Sequence, residues 1–189
     1  MMIALGIVVG IGVIFGVLLV GFYNGLVRGK NLVDEAWSGI SVQLKRRHDL
    51  ILSLLNTVKG YATHEKEVLV KLTEARANAV SATAQVADVH SVASAENGLT
   101  SALRQLFAVA ENYPELKANQ NFMQMQETET ELEEELSMAR RYYNGVARDQ
   151  NNRVMQFPGN LIAGSFGFTK IDYFELEDKE DAKLPEIKF

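Results

Sequence analysis

Cysteine is absent from this 189-residue chain, which excludes disulfides, thiolate metal sites and a cysteine nucleophile. Proline occurs three times, at Pro114, Pro158 and Pro185, so no proline breaks a helix anywhere before Pro114. Histidine also occurs three times, at His48, His64 and His90, which leaves little imidazole for catalysis or metal binding. Nineteen Lys and Arg stand against 24 Asp and Glu, a net charge of −5, and no basic stripe is present. Phosphate backbones need such a stripe, so nucleic acid is not expected as a partner. The most informative shortage is local: no charged side chain precedes Arg28.

What fills that uncharged region is IALGIVVGIGVIFGVLLVGFYNGLV, Ile3 to Val27. A bilayer core of about 30 Å needs roughly 20 apolar residues at 1.5 Å each, and this run meets that requirement. Met-Met-Ile carries no basic side chain and no A-x-A precedes Arg28, so the run is expected to stay attached as a transmembrane helix, residues 1–28. Its glycines form three G-x-x-x-G pairs: Gly6 with Gly10, Gly12 with Gly16, and Gly21 with Gly25. At about 100° per residue, Gly6, Gly10, Gly21 and Gly25 share one side, and Gly12 and Gly16 lie well round from it. Two faces that admit close helix approach would let one span touch two neighbours. The plainer alternative is that glycine is common in spans. Arg28, Lys30, Lys45, Arg46 and Arg47 follow the span against Asp34 and Glu35, so the positive-inside rule puts the N-terminus outside and the domain in the cytoplasm.

Beyond the span, about 160 residues are enough for one domain with a single core. From Asn31 to Lys59, Val33, Trp37, Ile40, Leu44, Ile51, Leu54 and Val58 recur at helical spacing, which predicts a long amphipathic helix continuous with the span. Arg47 falls on its apolar seam and therefore requires a carboxylate partner. Gly60 ends this helix, and Thr63 is a serviceable N-cap for a second one from about His64 to Val86, whose later half is alanine-rich and suited to tight lateral packing. Asp88 to Gly98 reads as a loop or kink. Leu99 to Asn112 is helical again until Tyr113-Pro114 stops it, and Glu115 to Val154 is a further long helix. Leu161 to Phe174 is rich in glycine and aromatics without helical period, and reads as extended; the charged tail after it either dangles or docks. The expected fold is all-α: a transmembrane helix continuing into an elongated antiparallel bundle of three to four helices over residues 29–160, then an extended segment over 161–189.

Chemistry is hard to find in this pattern. His64-Glu65 opens like H-E-x-x-H, but Val68 in the fifth position cannot ligate a metal. Glu127, Glu129, Glu131, Glu133, Glu134 and Glu135 lie on a helix, not on a loop with the oxygen geometry calcium needs, and read as a solvated face. Glu133 is the exception: it stands seven residues before Arg140, two turns away on the same face. Arg47, Glu133 and Arg140 are therefore expected to form a partly buried network that sets the register of the first and last long helices. Trp37, Tyr142 and Tyr143 read as core aromatics. Phe166 and Phe168, beside Gly164 and Gly167, are open to three uses: capping the bundle, gripping another subunit, or touching lipid. Neither a Ser/His/Asp arrangement nor a phosphate-binding glycine loop can be placed, so no catalytic residue, metal site or cofactor is assigned.

RRHDLILSLLNTVKGYATHE from Arg46 to Glu65, YPELKANQNF from Tyr113 to Phe122, ARRYYNGV from Ala139 to Val146 and FPGNLIAGSFGF from Phe157 to Phe168 run in one order along the chain. In these blocks the sequence resembles the LemA family of bacterial membrane proteins over nearly its whole length. The matching positions include Arg47, Asp49, Leu50, Lys59, Gly60, Tyr61, His64 and Glu65, then Arg140, Tyr143, Asn144, Phe157 and Pro158. Leu52 replaces a common proline and Gln150 a usual tyrosine, which points to a straighter first helix. The resemblance implies a single-pass inner-membrane protein with a helical bundle and no established catalysis, some relatives being associated with internal membrane compartments. The expected function is a membrane-anchored, non-catalytic homo-oligomeric scaffold that organises or remodels the bacterial inner membrane, with lipid and further copies of itself as partners. The alternative is an adaptor that presents membrane clients to a partner such as a membrane protease.

Overall fold

The computed structural model of the chain describes residues 1–61, 65–84 and 88–175. Among these, six helices and no strand are present: α1 Met2–Lys59, α2 Lys66–Ala84, α3 Val89–Ala110, α4 Pro114–Lys117, α5 Gln120–Met155 and α6 Gly159–Ser165. The architecture is the all-helical one, with a long apolar N-terminal helix, that the periodicities above predict. Thr63, His64 and the closing tail from residue 176 lie outside the described residues.

By internal packing the chain divides into two units, residues 1–39 with 141–173 and residues 40–140 with 174–189, so α1 and α5 each contribute a length to both. The second unit is a bundle. Ile51, Leu54 and Val58 of α1, Leu69 and Leu72 of α2, Leu99, Leu103 and Leu106 of α3, Leu116 of α4 and Phe122 of α5 close one apolar core. These positions recur every three or four residues, so each helix turns a single stripe inward and leaves most of its charges to solvent. Helices α2 and α3 pack on one another. Ala75 and Ala79 of α2 pack in this core, so the face first read as a lateral surface belongs to the bundle itself.

Three boundaries differ from expectation. Asp88 to Gly98 is not a loop: Asp88 accepts a hydrogen bond from Ser91 N–H at 2.8 Å, capping α3, which begins at Val89. That bond holds the Asp88 carboxyl below its ordinary pKa. The helical stripe here runs through Val92, Ala93, Glu96 and Leu99, all buried, and the pattern was obscured because two of its members are alanine and glutamate. The long helix from Glu115 is two helices, α4 and α5; Asn119 between them accepts from Phe122 N–H at 3.1 Å and starts α5. Leu161 to Ser165, read as extended, belongs to α6. Helix α1, by contrast, is unbroken through Gly29, Gly39 and Leu52.

In the first unit Leu26 of α1 packs with Ile162 and Ala163 of α6, flanked by Leu19, Val154 and Phe168. Trp37 and Tyr143 meet with ring centroids 5.5 Å apart, whereas Tyr142, expected in the core, is exposed. Gln150 is 2% exposed and its Nε2 donates to Leu26 O at 3.0 Å. Gly29 makes this approach possible, since a Cβ there would stand 1.9 Å from Gln150 Oε1 and 2.5 Å from Arg153 Nη1. The apolar side chains from Ile3 to Val20 that the structure describes are largely bare in the single chain, as a segment built for lipid or for other copies would leave them.

Candidate functional site

Two clusters of polar and aromatic groups stand out, one within each unit. In the bundle, α1 carries Arg47 and His48, α3 carries Glu96 and Thr100, and α5 carries Glu129, Glu133 and Arg140. Arg47 is 3% exposed. Its Nε and Nη2 both lie 2.9 Å from Glu129 Oε1, its Nη1 lies 3.5 Å from Glu96 Oε2 and 3.2 Å from Glu133 Oε2, and its Nη2 donates to Thr100 Oγ1 at 3.1 Å. Glu96 Oε1 is 2.7 Å from His48 Nε2, and Glu133 Oε1 accepts from Arg140 Nη2 at 2.7 Å. The Arg140 guanidinium in turn sits 5.8 Å from the centroid of the Phe174 ring.

Arg47, Glu133 and Arg140 are thus placed in contact, but the deeper members are Glu96 and Glu129. Glu96 is 1% exposed, whereas the Glu133 side chain is 41% exposed. The acidic run is therefore a solvated face with Glu129 as its buried member. Burial pushes the Glu129 carboxyl above its ordinary pKa against the opposing pull of Arg47, and its Oε2 is buried without a hydrogen-bond donor. A folded pKa above the unfolded value means that this group's stabilising contribution is full below the unfolded value and is lost as pH rises through the folded one. In a carbon-detected titration of the glutamate carboxyls, Glu129 is expected to titrate above the ordinary carboxylate range, and an ordinary or depressed value would contradict its burial.

Chemically the cluster sets the Arg47 and Arg140 guanidinium groups against the carboxyls of Glu96, Glu129 and Glu133 and ties α1, α3 and α5 together. Among the described residues no group of three or more His, Cys, Asp or Glu has the arrangement to hold a metal ion. Further family positions make structural contacts. Tyr113 Oη donates to Glu65, just ahead of α2, at 2.9 Å, and Asn119 Nδ2, between α4 and α5, donates to Tyr61 Oη, just after α1, at 2.9 Å. The Glu65 carboxylate raises the pKa of Tyr113. Tyr143 is buried, donates to Asp172 O at 3.0 Å, and has its pKa pushed up to about 12 by burial and by nearby Asp172 and Asp34. Asp49, Lys59 and Gly60 are exposed, as is Phe157; Pro158 is half-buried.

The second cluster lies where α6 docks on the end of the apolar stretch. The Tyr23 ring meets Phe166 at a tilt of 58° with centroids 4.9 Å apart and Phe168 edge-to-face at 6.0 Å. Beside them a cavity of about 570 Å³ is lined by Val17, Leu18, Gly21, Gly25 and Phe157, with Arg153 among its few polar members. Gly6, Gly10, Gly12 and Gly16 have open space where a Cβ would stand; so do Gly21 and Gly25, though these two border the cavity.

An apolar helix long enough to cross a membrane, attached to a helical bundle cross-braced by buried ion pairs, defines a membrane-associated helical protein. The family model of the LemA family matches residues 36–189. The chain belongs to that family. It is 27% identical over 167 residues to Protein LemA of Metamycoplasma hominis, covering 88% of this chain and 75% of that one. It is also 22% identical over 184 residues to Magnetosome protein MamQ 2 of Paramagnetospirillum magneticum, covering 86% and 68%. Over 90 residues it is 24% identical to Magnetosome protein MamQ of Magnetospirillum gryphiswaldense.

Proposed function

We propose that the protein is a membrane-anchored, non-catalytic scaffold that assembles with copies of itself and organises or remodels the bacterial inner membrane, its bundle on the cytoplasmic side. The observation that carries this reading is the span. Both glycine faces are open in the single chain, with nothing within 4 Å of a Cβ built at Gly6, Gly10, Gly12 or Gly16. Helices in lipid associate by close packing at such small residues, so two open faces on one span suit a ring or array. The ionic groups of the bundle support the same reading, because they contact one another across α1, α3 and α5 and so hold these helices in register. The likeness to proteins named for the magnetosome favours a role tied to a cellular structure.

Gly10→Leu and Gly16→Leu, one on each face, test the assembly. Each is expected to reduce the copy number of the detergent-extracted particle, and an unchanged size in both would return the span to the role of an anchor. A monomer that co-purifies with a different protein would instead favour the adaptor. Remodelling is tested separately by adding the purified protein to vesicles, where unchanged shape at every protein density would remove that part of the proposal.

A further inference from the structure

We propose that the segment from Phe157 to Phe168 is a second membrane-contacting element, seated in a leaflet beside the span, with bilayer lipid as its partner. No charged residue occurs between Arg153 and Lys170, a stretch that includes all of α6. Its inward side chains, Ile162 and Ala163, pack on Leu26, and Phe168 is packed in the same cluster as Leu19. Leu19 stands nine positions before Arg28, about 13 Å along a helix, and a leaflet's hydrocarbon is roughly 15 Å deep. If the span is in the membrane, the segment docked on it is carried below the headgroups.

The outward side chains fit that position. Phe157 is 80% exposed, Leu161 65% and Phe166 60%, an apolar surface that water would penalise and lipid would accept. Tyr23, in tilted contact with Phe166, is at the level where aromatic rings gather at membrane interfaces. Arg153 and Lys170, both exposed, flank the uncharged stretch, and Arg28 and Lys30 are exposed on α1. Cations bordering an apolar insert complement anionic headgroups. Backbone groups at this depth need partners within the protein, and α6 supplies several: Asn160 N–H donates to Gln156 O, Leu161 N–H to Pro158 O, and Phe166 and Phe168 N–H to Ala163 O. The cavity lined by Gly21, Gly25 and Phe157 lies at the same level and has the apolar lining an acyl chain would fill. This contact depends on the span being inserted and not on assembly or remodelling.

Because the chain has no cysteine, single labels can be placed on the full-length protein without other changes. Spin labels on Leu161→Cys and Phe166→Cys, reconstituted in phosphatidylethanolamine–phosphatidylglycerol vesicles, are compared with Val13→Cys in the span and Ser94→Cys on the bundle. Leu161 is the safer site, since its side chain is 65% exposed, whereas replacing Phe166 also removes its ring contact with Tyr23. Collisions with oxygen are expected to exceed those with a water-soluble nickel chelate several-fold at positions 161 and 166, as at 13, with the order reversed at 94. Nickel accessibility at 161 equal to that at 94 would overturn the proposal, as would exclusion of both probes, the signature of burial against a second copy. An aqueous signal at 13 as well would overturn the anchoring and this contact together.

Discussion

Replacing Glu96 with alanine is expected to destabilise the bundle by about 1–3 kcal/mol, because it leaves the buried His48 ring without its hydrogen-bond partner and takes one of three carboxylates from Arg47. Glu96 is 1% exposed and meets His48 at 2.7 Å and Arg47 at 3.5 Å. Neither partner side chain, Arg47 at 3% exposure or His48 at 4%, can reach water to recover the lost interaction. Glu133→Ala should cost less, since the Glu133 side chain is 41% exposed and Glu129 remains on Arg47. Denaturant unfolding of the full chain in detergent, followed by loss of helical signal, measures both. The expected result is a large fall in midpoint for Glu96→Ala, a smaller one for Glu133→Ala, and slopes unchanged in each. An unchanged midpoint for Glu96→Ala would mean that the ions are not buried together in solution. Replacing the whole set by well-packed apolar side chains is a different experiment, and it can be neutral or stabilising, because such clusters serve register more dependably than stability.

Gly159→Ala is expected to undock α6, at a cost of about 1–3 kcal/mol, the usual penalty of forcing atoms into a closed space. A Cβ at this position would stand 2.2 Å from Arg153 O, which is backbone and cannot swing aside as a side chain would. The helix would have to shift as a unit, drawing Ile162 and Ala163 off Leu26. Trypsin reports this directly, since Arg153 and Lys170 bracket the segment. The variant should be cut at these sites faster than the parent in detergent while the bundle resists as before. Equal cleavage of the two proteins would show that the approach of Gly159 to Arg153 is not needed for docking.

Much of this was legible before the structure, and the parts that were not have local causes. Arg47 could be picked out because a guanidinium on an apolar stripe requires an acid. Glu133 could be proposed from its spacing to Arg140. Glu96 could not, since it lies in a serine- and alanine-rich stretch whose helical stripe is weak and whose start is marked only by Asp88. Glu129 was hidden among neighbouring glutamates of identical chemistry, and only the approach of α1 and α3 separates the buried one from the solvated ones. Helix α6, Gly159–Ser165, is too short to display a period, and what holds it is a tertiary contact with Leu26, which no local pattern records. The long helices were plain because their stripes repeat over many turns without proline. Tyr142, adjacent to the buried Tyr143, shows the limit of that rule, as two neighbouring aromatics on a helix cannot both face one core.

The scaffold reading stands or falls most directly on the mass of the intact particle. Extracted from its membrane in lipid nanodiscs or mild detergent and weighed particle by particle, the full-length chain is expected as one discrete species containing many copies of itself. A population of single chains under the same conditions would contradict assembly through the span.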